Sequence, residues 1–515
     1  MAGIEERNSL LDLESCAREP IHIIGHIQSH GLVFALSEPD FIVQQVSANV
    51  DTLLGTSMDA VLGSSLESVL GNLQFQAFQS RLASDDLISA NPLRVVVGDR
   101  ALEMDCVAHR YDGVLIAEFE RLNDTGSAKP SELATNIGIL LARMGRASGL
   151  VDYCSVTASE IQRLSGFDRV MVYRFDGDWN GEVIAEAGQV PEPATHRFIS
   201  YLGLSFPATD IPAQARRLFL TNQVRSIADI DSTPVPIVPE IGPLTGRPLD
   251  MSHTSLRSVS PIHIEYLRNI GVRSSLSVSI IVDERLWGLV ACHHHAPRPV
   301  DCATRSICEL IAQNLALQVT SRNANAARKS RRIAAEMIDE YEQYVDRVEA
   351  AREVLIDSAS AAQFLDMLDA DGVVSHISGM TSSQGLSVAA ESLRAIVGQF
   401  QSRTNHGVAS SDRLVPDHPD GAQIYGALYI ELSKRSGDYL LFVRREHIRT
   451  VNWAGNPDKS ASADAAGKLH PRTSFAQWQE TVRGRSRPWS ALELESARFL
   501  RAELLHIGDA QRLRT

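Results

Sequence analysis

One segment of the sequence does most to limit how the chain can fold. From Cys302 to about Ser358 the residues follow a helical pattern, and its charged part, RNANAARKSRRIAAEMIDEYEQYVDRVEAAREV, contains no proline or glycine. Such length indicates a helical spine that joins two domains or pairs with a partner helix. Since the chain has 515 residues, about three or four domains of ordinary size are expected around this spine.

The residues before the spine are predicted to form two mixed domains. From 22 to 122 short apolar runs such as GLVFAL, FIVQQVS and GVLIAEF alternate with turn residues, which is typical of a small sheet with short helices. The polar stretch NDTGSAKPSE at 123–132 is predicted to be a linker. Helical spacing from Leu133 to Ser165 is followed by predicted strands in RVMVYRF, GEVIAEAG and SSLSVSIIVDERLWGLVACHH.

A third mixed domain is predicted after the spine. Its strands are expected near DGVVSHIS, GALYIELS and DYLLFVRRE, and an irregular insertion interrupts it at 452–474. The last amphipathic stretch, WSALELESARFLRAELLHI, is predicted to be a helix. The fold class expected is therefore α+β, with consecutive mixed α/β domains joined by the long helix.

Charge and hydropathy exclude several classes of function. The net charge of -14, without a basic stripe, argues against nucleic-acid binding. No window is apolar enough for a membrane span, and the N-terminus MAGIEERNSLLDLESC has no signal-peptide pattern, so a cytoplasmic protein is expected. Six cysteines without CxxC pairs argue against a zinc ribbon.

The histidines do not predict a metal site either. His22, His26 and His30 are spaced four residues apart, but glycine, proline and β-branched neighbours predict an extended segment on which these ligands would not converge. His293 to His295 form a run of three, and metal binding is not predicted for this group either. No metal ligand and no catalytic residue is assigned, and no Gly-rich phosphate loop or Ser/His/Asp arrangement is found.

Two segments carry residues suited to ligand binding. In FPATDIPAQAR the prolines restrict the backbone, and Asp210 is placed either to cap a helix that begins near Pro212 or to present its carboxylate to another group. In SPIHIEYLRN a helix would put His263 and Tyr266 on one face, which suits either a core histidine or a ligand contact. The residues alone leave both choices open.

Five signatures together resemble the bacteriophytochromes, bilin-binding red-light receptors with the domain order PAS, GAF, PHY. They are FPATDIPAQARRLF (206–219), LRSVSPIHIEYLRNIGVRSSLSVS (256–279), LWGLVACHH (286–294), CAREPI (16–21) and PRTSF (471–475). The resemblance covers nearly the whole chain. It implies an N-terminal arm at 1–21, a PAS domain at 22–124, a GAF domain at 133–318 and a PHY domain at 319–515, with a tongue at about 446–486.

The resemblance implies a covalently bound chromophore, biliverdin IXα. Plant-type relatives carry the reactive cysteine immediately before the pocket histidine, but Ile262 stands there in this sequence. The thioether is therefore assigned to Cys16. Three departures from the family pattern are Ser29 for proline, Thr209 for serine and Phe219 for tyrosine.

The resemblance also assigns the residues around the bilin. The carbonyl of Asp210 faces the pyrrole nitrogens, His263 packs on the rings, and His293 pairs with the D-ring carbonyl. The resemblance implies that Arg225 and Arg257 bind the two propionates of the bilin. The remaining implied contacts are aromatic, hydroxyl or motif residues, namely Tyr173, Tyr201, Phe206, Ile211, Pro212, Phe219, Ser260, Tyr266, Ser275 and Ser277. In the tongue, Arg472 is the implied partner of the Asp210 carboxylate, together with Ser474 and Trp453.

The function implied is a red/far-red photoreceptor that photoswitches by isomerisation of the bilin D-ring. Signals would pass through the helices of a homodimer to an output domain, usually a histidine kinase acting on a response regulator. Nothing after Arg498 resembles such a kinase, so no catalytic domain is expected in this chain. The alternative is a PAS/GAF sensor that binds haem or a cyclic nucleotide.

Overall fold

The computed structural model describes most of the chain in two compact units. The described residues are 19–83, 91–97, 102–122, 130–188, 200–345, 358–377, 379–401, 403–404, 406–414, 424–435, 437–457, 461–463 and 469–512. The first unit comprises Met1–Val319 with Asn452–Trp478, and the second comprises Thr320–Val451 with Gln479–Thr515. The core of the predicted tongue therefore belongs to the first unit.

Runs of strands and runs of helices follow one another along the chain, as expected for the α+β class. The strands are β1 (His26–Ile27), β2 (Gly31–Leu36), β3 (Val43–Ser47), β4 (Leu93–Val97), β5 (Leu102–Tyr111), β6 (Val114–Arg121), β7 (Arg169–Phe175), β8 (Gly181–Gly188), β9 (Ser205–Phe206), β10 (Val224–Ile227), β11 (Val235–Val238), β12 (Ser274–Val282), β13 (Arg285–His294), β14 (Gly372–Ile377), β15 (Met380–Gly385), β16 (Val408–Ser411), β17 (Ile424–Ser433), β18 (Asp438–Arg445), β19 (Arg449–Ala454), β20 (Ala461–Ala463), β21 (Leu469–Pro471) and β22 (Gln477–Val482). The helices are α1 (Val50–Leu54), α2 (Met58–Val61), α3 (Glu67–Leu70), α4 (Asn72–Leu82), α5 (Pro130–Met144), α6 (Leu150–Ser165), α7 (Ala213–Thr221), α8 (Pro261–Asn269), α9 (Cys302–Val345), α10 (Ser358–Met367), α11 (Ala390–Gln401) and α12 (Ala491–Arg512).

The first sheet has the order β1-β11-β3-β2-β6-β5-β4 and is covered on both faces. Strand β2 is buried throughout because its alternate side chains enter different cores. Phe34 joins the core under α1–α4, whereas Val33 packs with Ile237 and Leu256. Strand β11 and its following loop, which come after β10 in sequence, thus cover the face that the helices leave open.

The second sheet has the order β10-β12-β13-β7-β8-β9-β19-β22 and separates a core from a cavity. On β7, Val170 and Val172 pack with α6 and α9, whereas Met171 and Tyr173 face the opposite side. The helical spacing predicted from Leu133 to Ser165 corresponds to two helices, α5 and α6. It is broken at 145–149, where glycine residues lie at both ends of the break.

The predicted linker also needs correction, because α5 begins at Pro130. Residues 123–129 of that stretch lie outside the described part of the chain. Proline is favoured at the first turn of a helix, where its missing N–H costs no hydrogen bond.

The spine appears as the 44-residue helix α9, from Cys302 to Val345. Residues 346–357, where the pattern continues, lie outside the described residues, and α10 begins at Ser358. The third sheet has the order β15-β14-β18-β17-β16 and contains the three predicted strands. None of the described helices is long and apolar enough to cross a membrane.

Candidate functional site

A cavity of about 450 Å³ opens on the second sheet of the first unit. Its walls come from β7 and β13, from the turn before α7, and from α8. The predicted site residues that line it are Tyr173, Phe206, Asp210, Ile211, Pro212, Phe219, Arg225, Arg257, Ser260, His263, Tyr266, Ser275, Ser277 and His293. Folding thus gathers residues from most of the second predicted domain around one space of ligand size.

Asp210 ends a short 3-10 turn, Ala208–Asp210, between Pro207 and Pro212. The N-cap of α7 is Pro212, and no side chain caps this helix, so the helix-capping interpretation of Asp210 is wrong. Its carboxylate instead accepts a hydrogen bond from Tyr266 Oη (3.0 Å) and another from Arg472 Nη2. The Asp210 and Arg472 side chains are only 4% and 2% exposed, so this is a buried ion pair.

Burial raises the pKa of Asp210 to about 6, while attraction to Arg472 and the Tyr266 hydrogen bond work in the opposite direction. The carboxylate remains mostly ionised at neutral pH. It loses its charge as the pH falls through about 6.

Arg472 contacts two other residues of the tongue and one residue of α8. Its Nη1 donates to the carbonyl of Ala454, and its guanidinium lies 4.5 Å from the Phe475 ring centroid. The Arg472 carbonyl accepts a hydrogen bond from Asn269 on α8 (3.2 Å). Cation–π contact and hydrogen bonds together hold the planar guanidinium in one orientation.

The tongue has strand structure on both sides of Arg472. Trp453 is buried and pairs in parallel with Ser205, which joins β19 to the edge of the second sheet. The flank at Phe475–Val482 contains strand β22. Ser474 is exposed and does not line the cavity.

Two histidines face the cavity from different elements. His263 lies on α8, with its ring stacked 5.9 Å from Tyr266, and His293 lies on β13. Desolvation by the surrounding protein lowers the pKa of His263 to about 4, and repulsion from the Arg225 cation contributes in the same direction. The side chain itself is exposed to the cavity. Burial is the main cause that lowers the pKa of His293 to about 3, and repulsion from the Arg169 cation adds to it. The His293 imidazole is therefore neutral at pH 7.

Two arginines lie together at another part of the wall. Arg225 donates to the carbonyls of Ser255 (3.2 Å) and Ser258 (2.8 Å), and Arg257 donates to that of Met251 (3.4 Å). Burial, together with the mutual repulsion of the two cations, lowers the pKa of Arg225. These hydrogen-bond partners are neutral carbonyls, so the site suits an anionic ligand group.

Several buried polar atoms facing this region have no hydrogen-bond partner within the described part of the chain. They are Tyr173 Oη, Thr209 Oγ1 and His293 Nδ1. Such atoms cost free energy unless a ligand or water pairs with them. Together with the arginines, they fit a long ligand that carries carboxylates, amide-like polar groups and flat apolar rings.

Some predicted residues lie elsewhere, and some cavity residues were missed. Tyr201 does not line the cavity but packs behind Phe206 at 5.7 Å between ring centroids. Cys16 lies outside the described residues. Glu19 and His470 were missed: Glu19 accepts a hydrogen bond from Ser260 (2.9 Å), and His470 lies 2.8 Å from Glu265. The position of His470 directly before the PRTSF motif was the one available signal.

Comparison with known proteins identifies the family. The chain matches the phytochrome region at 334–512, the PAS fold at 16–122 and the GAF domain at 150–322. It is 37% identical to a bacteriophytochrome of Xanthomonas campestris, covering 98% of this chain and 80% of the relative. It is 34% identical to cyanobacterial phytochrome B of Nostoc sp., covering 96% of this chain and 66% of that relative's length.

Solved structures agree over nearly the whole chain. The photosensory core module of Stigmatella aurantiaca phytochrome is 35% identical, with a TM-score of 0.84, and the match covers 96% of this chain and 98% of that one. A bacteriophytochrome from R. palustris is 32% identical, with a TM-score of 0.85, covering 96% and 100%.

The three matched domains define a photosensory protein of the PAS–GAF–PHY class. The chain belongs to the bacteriophytochrome family. It is a light photoreceptor, and the family implies a bilin chromophore. The predicted fold class and the resemblance are thereby confirmed, whereas the exact domain limits stay predictions.

Proposed function

We propose that the cavity holds biliverdin IXα, linked by a thioether to Cys16, and that the tongue communicates the state of the bilin. When bound, the bilin supplies red-light absorption and isomerisation about its C15–C16 double bond. The observation that carries the proposal is the wall itself. It combines paired arginines, neutral histidines and buried polar atoms without protein partners around one cavity.

Each wall residue has a task in this proposal. Arg225 and Arg257 bind the propionates, assisted by the hydroxyls of Ser275 and Ser277 on β12. Because Ser260 already donates to Glu19, its hydroxyl holds the chain just after Cys16 as well as facing the cavity.

The remaining wall residues would contact the bilin rings and their polar atoms. Tyr173, Phe206 and Phe219 supply aromatic or apolar surface, and neutral His293 offers a nitrogen to the D-ring carbonyl. The pyrrole nitrogens face the backbone carbonyl of Asp210 and the ring of His263. Since Asp210 also pairs with Arg472, a shift at the bilin has a direct route to the tongue.

Replacement of Cys16 tests both attachment and function. We expect Cys16→Ser to bind biliverdin without a covalent bond, because the wall contacts are separate from the thioether. The measurements are the absorption spectrum and zinc-induced fluorescence after denaturing electrophoresis. Cys106→Ser is the control, since Cys106 is buried in the core of the first sheet and is not proposed to attach the bilin.

The results separate the alternatives. A red band in both variants, with in-gel fluorescence lost only in Cys16→Ser, supports the proposal. Fluorescence retained in Cys16→Ser would place the attachment elsewhere. A Soret band without a red band would favour a haem sensor.

We also propose that the protein is cytoplasmic and forms a homodimer. The dimer would transmit its signal to an output domain, which in this family is commonly a histidine kinase that acts on a response regulator. The support for pairing is the apolar surface of the helices in the first unit. Leu310 and Leu317 on α9 are exposed, as are Ile139 and Leu141 on α5. Exposed apolar side chains on neighbouring turns suit contact with a second copy.

A further inference from the structure

Three metal-ligating side chains meet outside the cavity wall. Asp168 precedes β7, His294 ends β13, and His295 follows it. Nδ1 of His294 lies 2.8 Å from Oδ2 of Asp168, and Nδ1 of His295 lies 2.5 Å from the same oxygen. The three ligand atoms lie within 4.8 Å of one another, and all three residues are partly buried.

Hydrogen bonding accounts for only part of this cluster. Oδ2 of Asp168 accepts the backbone N–H of His295 (2.9 Å) and contacts its ring nitrogen. Nδ1 of His294 is buried without a hydrogen-bond partner among the described residues, although the same oxygen is 2.8 Å away. The two atoms are close but not aligned as donor and acceptor, so the cluster leaves a buried nitrogen unsatisfied.

We propose that Asp168, His294 and His295 bind a divalent late transition metal, with Zn²⁺ as the probe ion. Two imidazole nitrogens and one carboxylate oxygen are a common protein ligand set for zinc, and water completes the tetrahedron. In a tetrahedral site ligand atoms lie roughly 3.3 Å apart, given bonds of about 2 Å. Each of the two distances from Asp168 to a histidine nitrogen would therefore lengthen by less than about 1 Å on binding, which side-chain rotation allows.

The position of the cluster gives the metal a structural task. Strands β7 and β13 are neighbours, with Arg169 opposite His293, so the metal joins the ends of two adjacent strands. Arg298 is the nearby cation that opposes a bound metal, and its Nε is engaged by the carbonyl of Ser165 (2.7 Å). The metal site is separate from the proposed bilin contacts, although His294 follows cavity residue His293 directly.

Sequence reasoning assigned no metal here for a physical reason. The histidine run supplies only two of the ligands, His294 and His295, and the third, Asp168, is far from them in the sequence. The pairing of β7 with β13 brings the third ligand into place.

The test uses the full bilin-loaded chain, without a purification tag and treated with chelator. One equivalent of Zn²⁺ is added, its dissociation constant is measured by competition with a chromogenic chelator, and its ligands are counted by zinc X-ray absorption. We expect a signal of two imidazoles and a loss of affinity of at least tenfold in His295→Gln. His447→Gln is the matched control, because His447 is exposed and lies far away in sequence on the second unit.

Asp168→Asn removes the charge while keeping the side-chain size, and it should weaken Zn²⁺ binding similarly. The red absorption band of each variant reports whether the first unit is folded. Unchanged affinity in His295→Gln, or a zinc spectrum with pyrrole-type nitrogen and no imidazole pair, would overturn the proposal. If Asp168→Asn fails to load bilin, His295→Gln alone decides, since the His295 side chain is 32% exposed.

Discussion

At the residue scale, the charge of Asp210 depends on both its burial and its contact with Arg472. Its side chain is buried, which favours the neutral acid, while Arg472 favours the carboxylate. The balance gives a pKa of about 6. A change at the tongue therefore reaches the cavity as a change in the proton affinity of this carboxyl group.

Replacing Arg472 with alanine should raise the pKa of Asp210 above 6, because the main influence lowering it is removed while burial remains. The infrared band of the protonated carboxyl group, titrated between about pH 5 and pH 8, measures this change. The band is identified by its loss in Asp210→Asn. In Arg472→Ala the protonated form should persist to higher pH than in the original chain.

Arg217→Ala is the control, since Arg217 is exposed on α7 and does not contact Asp210. An equal or lower midpoint in Arg472→Ala would show that the tongue cation does not control the carboxyl group. Loss of one member of a buried pair can cost about 3–5 kcal/mol, so the tongue itself is expected to loosen in this variant.

At the element scale, the strand form of the tongue depends on a glycine. Gly455 follows β19 with φ +94°, a conformation that disfavours side chains. A Cβ placed there would lie 2.2 Å from the carbonyl oxygen of Ser474 and 2.9 Å from Arg472 Nη1. The backbone oxygen cannot move aside without separating the two halves of the tongue.

We therefore expect Gly455→Ala to destabilise the β-strand structure of the tongue and weaken the Asp210–Arg472 contact. As a result, the rate of dark reversion of the photoproduct should change at least severalfold. Gly437→Ala is the matched control, because Gly437 has φ +74° but open space around its Cβ position. Dark reversion followed by absorption, with the amide infrared difference spectrum, measures the effect. Equal kinetics in the two variants would mean that the strand form does not govern the switch.

The elements differ in how far the sequence could predict them. Alternating apolar residues located the strands, and the proline-free pattern located α9. The break between α5 and α6 was missed because apolar spacing continues on both sides of it. The covering of the first sheet by β11 depends on pairing between residues far apart in sequence, as in Ile237 with Ser47, which periodicity does not report.

The site shows the same division. The family motifs placed Asp210 and Arg472 as partners, and the structure has that contact. The contacts of Glu19 with Ser260 and of His470 with Glu265 were not predicted, because each joins segments that only the tertiary fold brings together. Local spacing in the sequence carries no information about such pairs.

At the scale of the whole molecule, the proposed homodimer rests on surfaces left apolar by the packing of the first unit. Helix α9 buries Cys308, Ile311 and Leu315 against the second sheet. Leu310 and Leu317, two turns apart on a different side of the helix, are 40% and 67% exposed. This second apolar face is available for another copy of the chain.

Substituting glutamate for both Leu310 and Leu317 should prevent association, because each copy would bring charged side chains into an apolar contact. We expect the dimer dissociation constant to rise at least tenfold, which corresponds to about 1.4 kcal/mol. Sedimentation equilibrium over a range of concentrations measures the change, and the red band shows that the cavity is intact. Leu73→Glu is the control, since Leu73 is 79% exposed on α4 and equally apolar. A dimer that survives the double substitution, or one that is lost equally in Leu73→Glu, would contradict pairing through α9.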